Sequence, residues 1–128
     1  MAEMSNYLEN ALINGTLRAT SYTAPTTVYV GLYTSDPTDA NTGTEVSGGS
    51  YARISATFGA PSNGATSNTA AIEFPQATAS WGTVGWIGIL DDSTTGNLLY
   101  HSPLDVSKAI DTGDVFKIAI GNLTVTLA

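Results

Sequence analysis

The sequence has no cysteine, which excludes disulfides and thiolate metal sites and leaves the redox compartment open. Only 4 of its 128 residues are Lys or Arg, against 11 Asp and Glu. Arg18, Arg53, Lys108 and Lys117 are scattered along the chain. Phosphate recognition needs clustered cations, so nucleic acid is excluded as an expected partner. Anionic membranes are disfavoured for the same reason. No apolar run approaches the length of a bilayer span. The start of the chain lacks the charged-then-apolar layout of a signal peptide, so the expectation is synthesis in a cytoplasm.

Catalytic side chains are scarce too. His101 is the one histidine, and its neighbour Ser102 would point to the opposite face of a strand. The reading is therefore an ordinary strand residue. No Gly-x-Ser-x-Gly, phosphate-cradling Gly-rich loop or His-Glu-x-x-His occurs. Paired carboxylates could hydrolyse a glycosidic bond. Yet Asp36, Asp39, Asp91, Asp92, Asp111 and Asp114 lie in turn-like strings, where Asp is expected for its local backbone hydrogen bonds. Glu73 and Asp105 would be the hydrolase candidates, and Glu73 should face solvent or a subunit contact. No catalytic residue, metal ligand or cofactor is expected. The oxygen-rich string of Asp36, Asp39, Asn41 and Glu45 lacks the spacing of a calcium loop and reads as a plain acidic loop.

What is present is a β-rich pattern. Charged residues are only 12% of the chain and hydrophobic ones 42%, which is not the composition of a disordered chain. The remainder is rich in Thr, Ser, Gly, Ala and Asn. One helix is predicted near the start, within an N-terminal helix or arm over about residues 4–18. Ser5 is its cap, and Leu8, Leu12 and Ile13 recur at helical spacing. From Pro25 onward the period is two. Strands are predicted over 26–33, 53–58, 70–74, 82–90 and 97–101, with further extended stretches over 103–108, 115–120 and 123–127. Residues 83–101 read as a hairpin turning at DDSTTGN. Residues 35–50 form a long Asp-, Pro- and Gly-rich loop. Trp86 is expected in the core. Trp81, beside a turn, is the better candidate of the two for exposure, and could serve either as core or as a binding platform. Short strands at about ten-residue spacing predict an all-β, jelly-roll-like β-sandwich with one short N-terminal helix, in a single domain spanning residues 1–128.

The strings MSNYLENALIN, TTVYVGLYTSDPTDANTGTEVSGGSYAR, FGAPSNGATSNTAAIEFPQATASWGTVGWIGILD, GNLLYHSPL and GDVFKIAIGNLTVTLA resemble small virion structural proteins of tailed phages and prophages. These are described variously as head decoration (cement) proteins or tail-fibre-like proteins. The resemblance covers nearly the whole chain. It implies a β-sandwich subunit working as a homo-oligomer, a trimer being favoured, on the particle surface, with no catalytic residues. The first expectation is a cement protein bridging subunits of the major capsid protein or other virion proteins. The alternative is a tail-fibre or receptor-binding module recognising a host surface glycan. Contact residues are expected in the N-terminal segment (Asn6, Tyr7, Leu8, Asn10), in the long loop (Asp36, Asp39, Glu45) and at Trp81.

Overall fold

A computed structural model describes residues 2–127. The chain opens with a two-residue strand, β1 (Glu3–Met4), and then helix α1 (Asn6–Leu17). Ser5 caps the helix as the sequence predicts: its Oγ accepts from the Leu8 N–H at 3.2 Å. The same hydroxyl donates to the Leu98 carbonyl, and the Ser5 N–H donates to the Leu99 carbonyl at 2.9 Å. One buried serine thus starts the helix and fastens it to the sheet. The helix runs through Gly15 and ends where Ala19 turns left-handed at φ 53°.

Five strands form one antiparallel sheet in the order β1, β7 (Leu98–Ile110), β6 (Gly82–Leu90), β2 (Val28–Tyr33) and β3 (Ile54–Ala56). The predicted hairpin is its centre, with Gly88 opposite His101 and Ile89 opposite Tyr100. Strand β7 is longer than predicted, because Pro103 interrupts nothing. Beyond residues 100–101, where β1 pairs, no described strand lies on its outer side. A proline is tolerated where its missing N–H faces an open edge.

The rest of the chain supplies two ribbons, β4 (Ala65–Ser67) with β9 (Thr124–Thr126), and β5 (Ile72–Glu73) with β8 (Lys117–Ile118). They carry Ile72 and Val125, and with the neighbouring Phe74, Phe116 and Leu123 these pack against Val30, Leu32, Val84, Ile87 and Ile89 in a single core. The body is all-β and sandwich-like, as predicted. A jelly roll would share eight strands between two full sheets; here the second layer is two short ribbons.

The alternation of β2 gives the sheet a second buried face. Val30 and Leu32 point to the main core, while Tyr33 and Gly31 point the other way. Tyr33, Leu90, Leu98 and Leu99 are buried on that opposite face or at its edge, and Leu8 of α1 is buried where the helix packs on β7. The long loop covers part of the same face. Trp86, expected in the core, is only half-buried, because it lies opposite Tyr33 near the end of the ladder.

Two glycines allow this second layer to approach. A Cβ on Gly88 would lie 2.8 Å from both Leu98 Cδ1 and Tyr33 Cε1. A Cβ on Gly31 would lie 2.8 Å from Glu45 Oε2 and 3.2 Å from the Tyr51 hydroxyl and Leu90 Cδ1. Gly31→Val should therefore lower stability by about 1–3 kcal/mol, the usual cost of overpacking a well-filled site. Urea denaturation checks it; an unchanged midpoint would show that the covering layer is loose.

Candidate functional site

One charged cluster joins the two parts of the covering layer. Residues 44–46 continue the β3 edge of the sheet: Thr34 N–H donates to Thr44 O at 2.9 Å and Val46 N–H to Leu32 O at 2.9 Å. Glu45 is thereby set opposite Tyr33, above Gly31. Arg53, just before β3, grips its carboxylate with two hydrogen bonds, Nε to Oε2 at 2.8 Å and Nη2 to Oε1 at 2.7 Å. The Tyr51 hydroxyl donates to the same Oε2 at 2.7 Å and accepts from the Leu32 N–H at 2.9 Å. Arg53 Nη1 reaches across to the carbonyls of Asp92 at 2.9 Å and Thr95 at 2.7 Å, in the β6–β7 turn. A single guanidinium therefore ties the long loop and the hairpin tip to the sheet.

The environment leaves its mark on titration. Burial, then the hydrogen bond to Glu45, pushes the Tyr51 phenol far above its ordinary value. Burial, then the charge of Glu45, pushes Tyr33 up to about 12. The Glu45 carboxylate also raises Arg53 against the opposing effect of burial.

The two segments so fixed meet the start of the helix around an open depression of about 450 Å³. Its walls are Asn6 and Tyr7 from α1, Asp39, Ala40 and Asn41 from the loop, and Gly96 and Asn97 from the hairpin tip. Tyr33 OH fixes Asn41 by donating to its Oδ1 at 3.2 Å. Asp91 fixes Asn97, accepting from its N–H at 2.7 Å and from its Nδ2 at 3.0 Å. Asn6 N–H donates to the Asp39 carbonyl at 2.9 Å, joining helix and loop. Among the described residues, the side chains of Asn6 and Tyr7 and the Nδ2 of Asn41 make no hydrogen bond, so they are available to a ligand. No Lys or Arg lines the depression.

The expected contact residues divide. Asn6, Tyr7 and Asp39 come together here. Asn10 and Asp36 are exposed, and Asp36 accepts from the Thr38 N–H at 2.9 Å. Leu8 is buried under the helix and Glu45 is engaged by Arg53. Leu8 is thereby withdrawn from the surface, while Glu45 keeps a side chain 22% exposed.

Trp81 needs correction as well: it is 4% exposed. Its Nε1 donates to Gly49 O at 2.9 Å, and its ring meets Tyr51 edge-on at 5.4 Å. It anchors the far end of the long loop and offers no platform. His101 is also more than an ordinary strand residue, being buried with Nε2 2.7 Å from Asp39 Oδ1. Asn97 was legible only as a turn residue. In the sequence Asn41 stands out only as an oxygen donor within the acidic loop.

A protein-family model described as "Podophage GP4 fiber I protein gp80" matches residues 3–126. The chain belongs to this family. It is a structural protein of the tailed-phage virion, made in the host and carried on the particle. The fibre I family is a structural one rather than an enzyme family, and membership implies association with other virion proteins. No match was found among curated proteins.

Glu45→Gln keeps the shape but leaves the guanidinium without its counter-charge. With the Arg53 side chain only 9% exposed, a stability loss of roughly 2–3 kcal/mol is expected. Chemical denaturation of the variant checks this, and a loss below about 0.5 kcal/mol would place the pair with ordinary surface ion pairs.

The raised phenols also set a pH dependence. The folded state holds these protons more tightly than the unfolded state, in which Tyr titrates near pH 10. The Tyr33 contribution is thus fully present below about pH 10 and is lost as pH rises toward about 12. Thermal melts between pH 9 and 11.5 should show a steeper loss in the native protein than in Tyr33→Phe. Identical slopes would contradict the assignment.

Proposed function

We propose that this chain is a fibre component that recognises an uncharged glycan of the host surface in the depression between α1, the long loop and the hairpin tip. The observation that carries the reading is the convergence of Asn6, Asn41, Asn97 and Asp39 beside the half-exposed ring of Tyr7. Amides and carboxylates offer both donors and acceptors to sugar hydroxyls, and a tyrosine ring can cover the apolar face of a pyranose. The lack of cations in the walls disfavours phosphate or uronate groups, which would otherwise meet only Asp39. An open depression of this kind gives weak single-site affinity. A fibre compensates by presenting several copies at once.

Attachment within the virion is assigned to the outer face of α1, where Ile13 is 53% and Leu17 79% exposed. These side chains suit a contact with a neighbouring virion protein or with further copies of this chain, a trimer being the proposed assembly. The capsid-cement reading would use the same face against the major capsid protein. The family description speaks of a fibre, which favours the receptor-binding reading.

Purified protein should bind host cells or their surface polysaccharide saturably. The double variant Asn41→Ala, Asn97→Ala should weaken this at least about tenfold, the effect of losing two ligand hydrogen bonds, with its melting temperature within a few degrees of native. Saturable binding to expanded capsids with none to host cells would replace the fibre reading by the cement one.

A further inference from the structure

We infer that Glu3, Asp39 and His101 form a binding site for a transition-metal dication of the zinc class. His101 Nε2 lies 2.7 Å from Asp39 Oδ1 and 3.9 Å from Glu3 Oε2, and one ligand atom from each residue lies within 4.8 Å of the others. Ligands held at about 2.0–2.2 Å from a tetrahedral metal are roughly 3.4 Å apart. The Glu3 oxygen is already near that separation. The Asp39 oxygen must withdraw by less than 1 Å, by the same geometry. Its side chain is 48% exposed and that of Glu3 70%, so both can adjust around the fixed imidazole.

Two features favour a cation here. The first is charge: an open cavity of about 300 Å³ beside the site is lined by Glu3, Glu9 and Asp39, with no Lys or Arg in its walls. The second is His101 itself. Its side chain is only 6% exposed, yet among the described residues its Nε2 has no partner outside these carboxylates. A buried imidazole facing two solvent-exposed carboxylates offers one fixed nitrogen ligand and two oxygen ligands with room to adjust. The nitrogen sets the metal class, since calcium and magnesium take oxygen ligands whereas zinc and its neighbours accept imidazole with carboxylate.

A metal at this point would join segments far apart in sequence. Glu3 lies on the N-terminal strand, Asp39 in the long loop and His101 on β7. The ion would clamp arm and loop to the sheet beside the proposed glycan depression, which Asp39 also borders. The inference does not require glycan binding.

Isothermal titration of tag-free, chelator-treated protein with ZnCl₂, with thermal melts in parallel, tests it. One Zn²⁺ per chain should bind with Kd below about 100 μM and raise the melting temperature by several degrees, reversibly with EDTA. Glu3→Gln should weaken the titration at least about tenfold while melting like the native protein without metal, because Glu3 is largely solvent-exposed. This variant keeps the test decisive even if His101→Gln, which should also lose binding, fails to fold. No saturable Zn²⁺ binding, undiminished binding by Glu3→Gln, or stabilisation by CaCl₂ in place of ZnCl₂ would each overturn the proposal.

Discussion

The bidentate contact between Arg53 and Glu45 is the constraint on which the outer half of the molecule depends. The main core would form without it, since the apolar faces of β2 and β6 meet Phe74, Phe116 and Leu123 whatever the loop does. The covering layer has no comparable apolar content. Residues 35–43 are polar and mostly exposed, and the hairpin tip at 92–97 is exposed throughout. Such segments gain little from burial, and ordering them costs conformational entropy. A charged fork with a carboxylate on one side and two backbone carbonyls on the other offsets part of that cost. Gly31 makes room for the carboxylate, and Tyr51 uses its remaining oxygen capacity.

The proposed function follows from where those segments end. The loop brings Asp39 and Asn41, and the tip brings Asn97, to the first turn of α1. A recognition surface built from loops is precise only when a rigid body positions it. Here the sheet supplies the rigidity and the ion pair transmits it. Asn41 and Asn97 are each held by a second residue, Tyr33 and Asp91, so their free amide atoms face the depression in a fixed orientation. The fibre I family is a structural one. On the proposed reading this chain's work is adhesion, to the virion on one side and to the host on the other.

Much of the scaffold was legible in the sequence, because it depends on local patterns. Ser5 before a helical repeat, two-residue periodicity, and DDSTTGN between apolar strands each specify their element from neighbours alone. Strand β7 reads in the sequence as two stretches, 97–101 and 103–108, and only the pairing order shows one continuous strand at an edge. The site was less visible, since its contacts are made across the chain. Asp39 and His101 are 62 residues apart, and Arg53 reaches carbonyls 39 and 42 residues away. Trp81 misled for a related reason. A tryptophan beside a turn reads as exposed, and nothing local shows that residues 48–50 fold back over it to accept its indole proton.

The direct measurement is native-state hydrogen exchange on Arg53→Met, followed at the Thr34, Val46, Asp91 and Asn97 amides. If one ion pair holds loop and tip together, protection at all four should fall in parallel while the β2–β6 ladder amides keep theirs. Loss confined to the loop, with Asp91 and Asn97 unchanged, would contradict the account.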